Sequence, residues 1–163
     1  VISAKNTLLK INPETTIHCI DQRLTQDALE ALIAEVSCVI DATDNFASRF
    51  LINRACVSRK VALVSAAAIQ FEGQISVFDL SKEDSACYAC LYAETGEENT
   101  NCGDNGMLAP VVGIVGGLQA LEAIKVICGI GDTLQNRLLI FDALSMQWRT
   151  MILKRDPGCA VCK

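Results

Sequence analysis

The sequence predicts an α/β protein: a mostly parallel sheet flanked by helices, with an antiparallel C-terminal part. Three observations carry this. Apolar runs of strand length alternate with helix-length segments through the first half of the chain, the order that builds parallel ladders through right-handed crossovers. Half of the residues are hydrophobic but only 5% are aromatic, which suits a covered sheet of Val, Ile, Leu and Ala better than a sandwich. A length of 163 residues without repeat or low-complexity linker fits a single domain, 1–163, with a sizeable core.

The elements follow in order. VISAKNTLLKI puts Ile2, Leu8, Leu9 and Ile11 on roughly one helical face, and Asn12-Pro13 stops it. TTIHCI (15–20) reads as a short strand, and TQDALEALIAEV as a helix opened by Thr25 with an acidic residue close behind. SCVIDATDN reads as a buried strand released into polar residues, and FASRFLINRACVSRK as a helix whose basic last turn complements its dipole. VALVSAAA and QISVFDL are two further strands. The run 81–106 is polar and long for a compact domain, the kind of excursion that carries function. MLAPVVGIVGGLQALEAIKVICG has the apolarity of a membrane span. Pro110, Gln119, Glu122 and Lys125 interrupt it, so a buried helix is expected. GIVGG (113–117) within it lacks a preceding strand and a following GK[ST], so it is no phosphate loop. RLLIFDA and QWRTMIL pair as a closing hairpin, which Trp148 and Arg149 would stabilise.

The net charge of −5, with charges of both signs interleaved and no basic block, argues against nucleic acid and against an anionic membrane as partners. Nine cysteines without an N-terminal apolar leader suit a reducing, cytoplasmic setting. Cys19, Cys38, Cys56 and Cys128 sit singly in apolar stretches as small hydrophobes. His18 reads as a partly buried histidine without a role.

Two further stretches carry chemistry. CYAC (Cys87, Cys90) and CAVC (Cys159, Cys162) are two CxxC pairs in turn-like sequence. A redox dithiol needs one such pair at a helix start after a strand. Two pairs supply the four soft ligands of a tetrahedral, closed, structural Zn²⁺ site that would pin the tail to the body. The strand end Asp41, Thr43, Asp44, Asn45 lies where open α/β sheets bind ligands, and its carboxylates could hold Mg²⁺ on a nucleotide. From spacing alone, Asp44 or Asn45 as the N-cap of the next helix is the better reading.

CVIDATDNFASRFLINRACV, VSAAAIQFEGQISVF, CYACL, NCGDNGMLAPVVGIVGGLQALEAIK and PGCAVC resemble, collinearly and over essentially the whole chain, the ThiF/MoeB/HesA family. These are bacterial relatives of ubiquitin-activating enzymes with a Rossmann-like fold. The resemblance implies MgATP-dependent adenylation of the C-terminal Gly-Gly of a ubiquitin-like sulfur-carrier protein, for sulfur transfer in thiamin or molybdopterin biosynthesis. It implies that Asp44 and Asn45 stand at the ATP phosphates, with Asp44 binding or orienting Mg²⁺. Cys87, Cys90, Cys159 and Cys162 match the family's structural zinc ligands. Cys102 matches a cysteine that takes part in an acyl or persulfide step in ThiF and some fused relatives. TNC and MQWR lean toward the ThiF branch, and homodimers are common in the family.

The same resemblance puts the Gly-rich turn, the ribose acid and the phosphate-binding Lys before Val1. The expectation is therefore a C-terminal portion of such an enzyme, inactive alone. A non-catalytic module that docks the carrier is the competing expectation, and Arg49 and Asn53 are expected to support the Asp44 loop.

Overall fold

The computed structural model describes residues 1–94 and 106–163. The first crossover forms as its sequence dictates. β1 (Cys38–Asp41) leads through α3 (Phe46–Arg59) into β2 (Ala62–Ile69), and β1 and β2 pair in parallel from Cys38↔Ala62 to Asp41↔Ser65. β3 (Glu72–Phe78) then follows after only Gln70 and Phe71, a connection too short for anything but an antiparallel return. Gln70 takes a φ of 50° in that turn, and its N–H and C=O are engaged by Gly106 and Leu108 from the segment returning after the polar loop. β4 (Arg137–Asp142) and β5 (Gln147–Ile152) complete a five-stranded sheet of order β1-β2-β3-β4-β5. The parallel share among the described residues is thus the single β1/β2 ladder, and the other three ladders are antiparallel.

Helices cover both faces. On one, α5 (Ala109–Cys128) lays Val111, Val115 and Ala123 against Val64, Ala66, Ile75, Val77 and Phe141. Gly73 of β3 lets it approach: a Cβ there would collide with Val115 Cγ2. On the other face α2 (Gln26–Ile33), α3 and the one-turn α4 (Tyr88–Leu91) enclose Ile33, Phe50, Ala55, Cys56, Leu63, Phe78 and Tyr88. Thr25 caps α2 through the N–H of Ala28, as expected. α1 (Ile2–Ile11) buries none of its residues.

The structure departs from the sequence reading in four places. Residues 15–20 form no strand and pair with none among the described residues; Ile17 and Cys19 are half-buried while His18 is exposed. β1 is an edge strand and leaves Ile40 53% exposed, so it is not buried on both faces. α5, long and apolar enough by length and composition to cross a membrane, is buried on one side only, and Val112, Leu121, Ile124 and Ile127 stay exposed. Cys128, at its end, is exposed. The expected hairpin does form, with Trp148 stacked on Phe141 at 4.3 Å and all six residues of its edge strand β5 exposed.

Candidate functional site

α3 organises two polar centres, one at its start and one reached from its middle. At its start, Asn45 is the N-cap and its side chain accepts from the Ser48 N–H at 2.8 Å. The cap expectation therefore holds for Asn45. Asp44, beside it, is exposed and accepts from Asn45 Nδ2 at 3.1 Å.

The loop that carries them is clamped from below. Asp41, 1% exposed, accepts from the Thr43 N–H and hydroxyl at 2.9 and 2.7 Å and from Ser65 Oγ at 3.2 Å. Arg49, one helical turn after the cap, sits 3.5 Å from Asp41 Oδ2 and donates to the carbonyls of Thr43 and Ala66 and to Ser65 Oγ. From the opposite face Gln119 Nε2 donates to the carbonyls of Asp41 (2.7 Å) and Val64 (3.0 Å), joining the last residue of β1 to the neighbouring stretch of β2. Every buried charge here has a partner, the condition under which such charges are tolerated. The expected support of the loop by Arg49 is thus present. Asp41, read from the sequence among the carboxylates that could face a ligand, is instead buried and committed to Thr43, Ser65 and Arg49, while Gln119 was missed.

Asn53 does something else. It lies one turn beyond Arg49, fully buried, and reaches the cysteines: its Oδ1 accepts from the Tyr88 N–H at 2.9 Å and its Nδ2 lies 3.6 Å from Cys87 Sγ. It supports the second centre, so the reading that tied it to the Asp44 loop is corrected.

That centre unites the two CxxC pairs. Cys87 precedes α4 and Cys90 lies within it, while Cys159 and Cys162 come from the tail; the four Sγ atoms lie within 4.8 Å of one another. Individual separations are 3.8 Å (Cys87–Cys159), 3.9 Å (Cys87–Cys90) and 3.4 Å (Cys90–Cys162). A tetrahedron with metal–sulfur bonds of about 2.3 Å has edges of about 3.8 Å. These four thiols therefore suit zinc, with all four positions filled by protein. A disulfide would need sulfurs at about 2.05 Å.

Backbone N–H groups already aim at the sulfurs, from Cys87 and Asp156 onto Cys90 and from Val161 onto Cys159. Burial pushes the Cys87 thiol up and raises Cys162 to about 11; at Cys159 burial is outweighed by the backbone of Cys162 and Val161, which lower it to about 7. Arg155 holds the tail in place through the carbonyls of Glu83 and Cys162, a second contribution the sequence reading missed.

Between the centres lies a small recess whose lining includes Arg49, Ser65, Gln74, Tyr88 and Tyr92. Tyr92 donates to Gln74 at 2.8 Å, and its ring meets Tyr88 at 4.8 Å and Phe46 at 5.8 Å. Cys102 lies outside the described residues.

A family model described as "ThiF family" matches residues 1–161. The molybdopterin-synthase adenylyltransferase of Salmonella typhimurium is 43% identical over 162 residues, 99% of this chain and 65% of that protein. The Sulfur carrier protein ThiS adenylyltransferase of Escherichia coli is 42% identical over 98% of this chain and 62% of its own length. The chain thus spans somewhat under two thirds of these relatives. Among solved structures, E. coli MccB with succinimide superposes with a TM-score of 0.79 over 98% of this chain and 49% of that one, at 20% identity, a likeness of fold.

Proposed function

The chain belongs to the ThiF family, and from that premise we propose that it carries part of the active site of an ATP-dependent adenylyltransferase for a ubiquitin-like sulfur-carrier protein. The observation that carries this reading is Asp44: an exposed carboxylate at the carboxyl end of a sheet strand, on a loop that Asp41 and Arg49 hold rigid. The names of the relatives support the carrier as substrate.

In the reaction, a carboxylate oxygen of the carrier's terminal glycine attacks the α-phosphorus of ATP. The bond to the β-phosphate bridging oxygen breaks, pyrophosphate leaves, and an acyl-adenylate remains. Asp44, with Asn45 turned toward its Oδ1, would hold Mg²⁺, which when bound offsets the charge on the phosphates. The cysteine centre would hold zinc structurally, and its closed donor set leaves no position for substrate. Cys102 is our candidate for a later acyl or persulfide step, to be tested by loss of the covalent carrier adduct in Cys102→Ser.

The uncovered third of the relatives' length would supply the adenine, ribose and triphosphate contacts, so the 163 residues by themselves should turn over no ATP. The exposed apolar side of α5 favours a homodimer, and the biosynthetic names of the relatives favour a cytoplasmic setting. ATP–pyrophosphate exchange with a Gly-Gly-tailed carrier tests the activity: exchange by the complete gene product, lost in Asp44→Ala, is expected, and exchange untouched by that change would sink the reading. Exchange by the 163 residues alone would overturn only the statement about them. The exposed Trp148, Met151 and Ile152 of β5 favour a second reading, a docking scaffold, marked by carrier binding without exchange in the complete product.

A further inference from the structure

Of the N–H groups that face the four sulfurs among the described residues, those on Cys90 and Cys159 all come from the backbone, of the two CxxC segments or of Asp156 three residues before the second. Cys87 is different. Its sulfur faces a side-chain amide from α3, an element outside both segments. The orientation of that amide is fixed, because the Tyr88 N–H can only meet the oxygen, which leaves Nδ2 toward Cys87. Asparagine is a weak helix former, and a buried amide is costly unless both its ends are used. Both ends of Asn53 are used, and on this centre alone.

We propose that Asn53 is a positioning residue of the metal centre: its amide N–H neutralises part of the charge on the Cys87 thiolate and fixes that sulfur for the ion. Four thiolates around a divalent cation carry a net charge of −2. Donors to sulfur spread that charge and keep each thiolate in its coordinating geometry, as partners of metal ligands generally do. The inference rests on the reading that the four cysteines hold a metal, and the test separates the two.

Two substitutions divide the roles of the amide. Asn53→Asp keeps the acceptor for the Tyr88 N–H but replaces the donor with a carboxylate oxygen facing the thiolate. Asn53→Leu removes both. The full chain, loaded with zinc or with Co²⁺, is challenged with a chromogenic chelator, and the cobalt forms are compared by their thiolate-to-metal charge-transfer absorption. We expect release about tenfold faster for Asn53→Leu and faster still for Asn53→Asp, with the charge-transfer band moved to lower energy because an undonated thiolate is easier to oxidise. A residue that merely holds Tyr88 would give the opposite order, with Asn53→Asp close to wild type, and that order overturns the proposal. If Asn53→Asp yields no folded protein, the Asn53→Leu spectrum decides: a shifted band supports the role and an unchanged band refutes it. A wild-type chain that takes up no metal refutes the metal reading itself.

Discussion

Arg49 reaches across the end of β1 to stand 3.5 Å from Asp41, and both side chains are more than nine-tenths buried. Neither charge is satisfied by the other alone. Thr43, Ser65 and the Ala66 carbonyl complete the set, so one ion pair ties α3, β2 and the loop before Asp44 into a unit. Removing the cation leaves a buried carboxylate uncompensated. Arg49→Leu should therefore cost about 3–5 kcal/mol in urea unfolding, and adding Asp41→Asn should recover a good part of it. A loss under about 1 kcal/mol, the scale of an exposed pair, would mean that the site is wetter than its burial indicates.

Asp44 and Asn45 are adjacent but should separate cleanly. Asn45→Ala removes the cap of α3 and should cost about 1 kcal/mol of stability. Asp44→Ala should leave the urea midpoint within about 0.5 kcal/mol, as for an exposed side chain, while abolishing pyrophosphate exchange in the complete gene product. If both changes move only stability, the Asp44 carboxylate has no chemical role.

Gly73 is where the sheet admits α5. Gly73→Ala should destabilise by about 1–3 kcal/mol through overpacking against Val115. Combined with Val115→Ala, the two effects should be less than additive by about 1 kcal/mol, since the second change removes the methyl the first collides with. Strict additivity would show that the helix moves away instead.

Acid should weaken the hairpin end. Asp142 accepts from the Ser145 hydroxyl and from the N–H groups of Leu144 and Ser145, which hold its carboxyl below the usual range. At Asp79 burial works the other way and is outweighed by Ser81 and Lys82, so it too is lowered. Unfolded, both groups bind a proton near pH 4. Their contribution is therefore full above about pH 4 and is lost as the pH falls through the lower folded values. The urea midpoint should drop between pH 6 and pH 3, and Asp142→Asn should shrink that drop. A drop of undiminished size would assign the acid sensitivity elsewhere.

The helices and the cysteine centre were legible because their signals are local: Thr25 and Asn45 as caps, and two CxxC spacings. What escaped was set by distant partners. The return of β3 hinges on Gln70 at positive φ, held by Gly106 and Leu108, and no Asn-Gly or Gly-rich turn announces it. The segment 15–20 has strand composition but pairs with no strand among the described residues, and composition cannot supply a partner. Asn53 stands in the right turn of α3 to follow Arg49. Its partner, however, lies 34 residues along the chain, in a different layer of contacts.

Asn45, Arg49 and Asn53 share one stripe of α3, yet they answer to different masters. The first two serve the loop and the third serves the sulfurs. In descent this should part their fates. A lineage that sheds its four cysteines frees position 53 to drift toward any small apolar residue, while positions 45 and 49 stay under the selection that keeps the loop in place. The asparagine at position 53 should then come and go with the four cysteines, while the Asn45–Arg49 spacing persists without them.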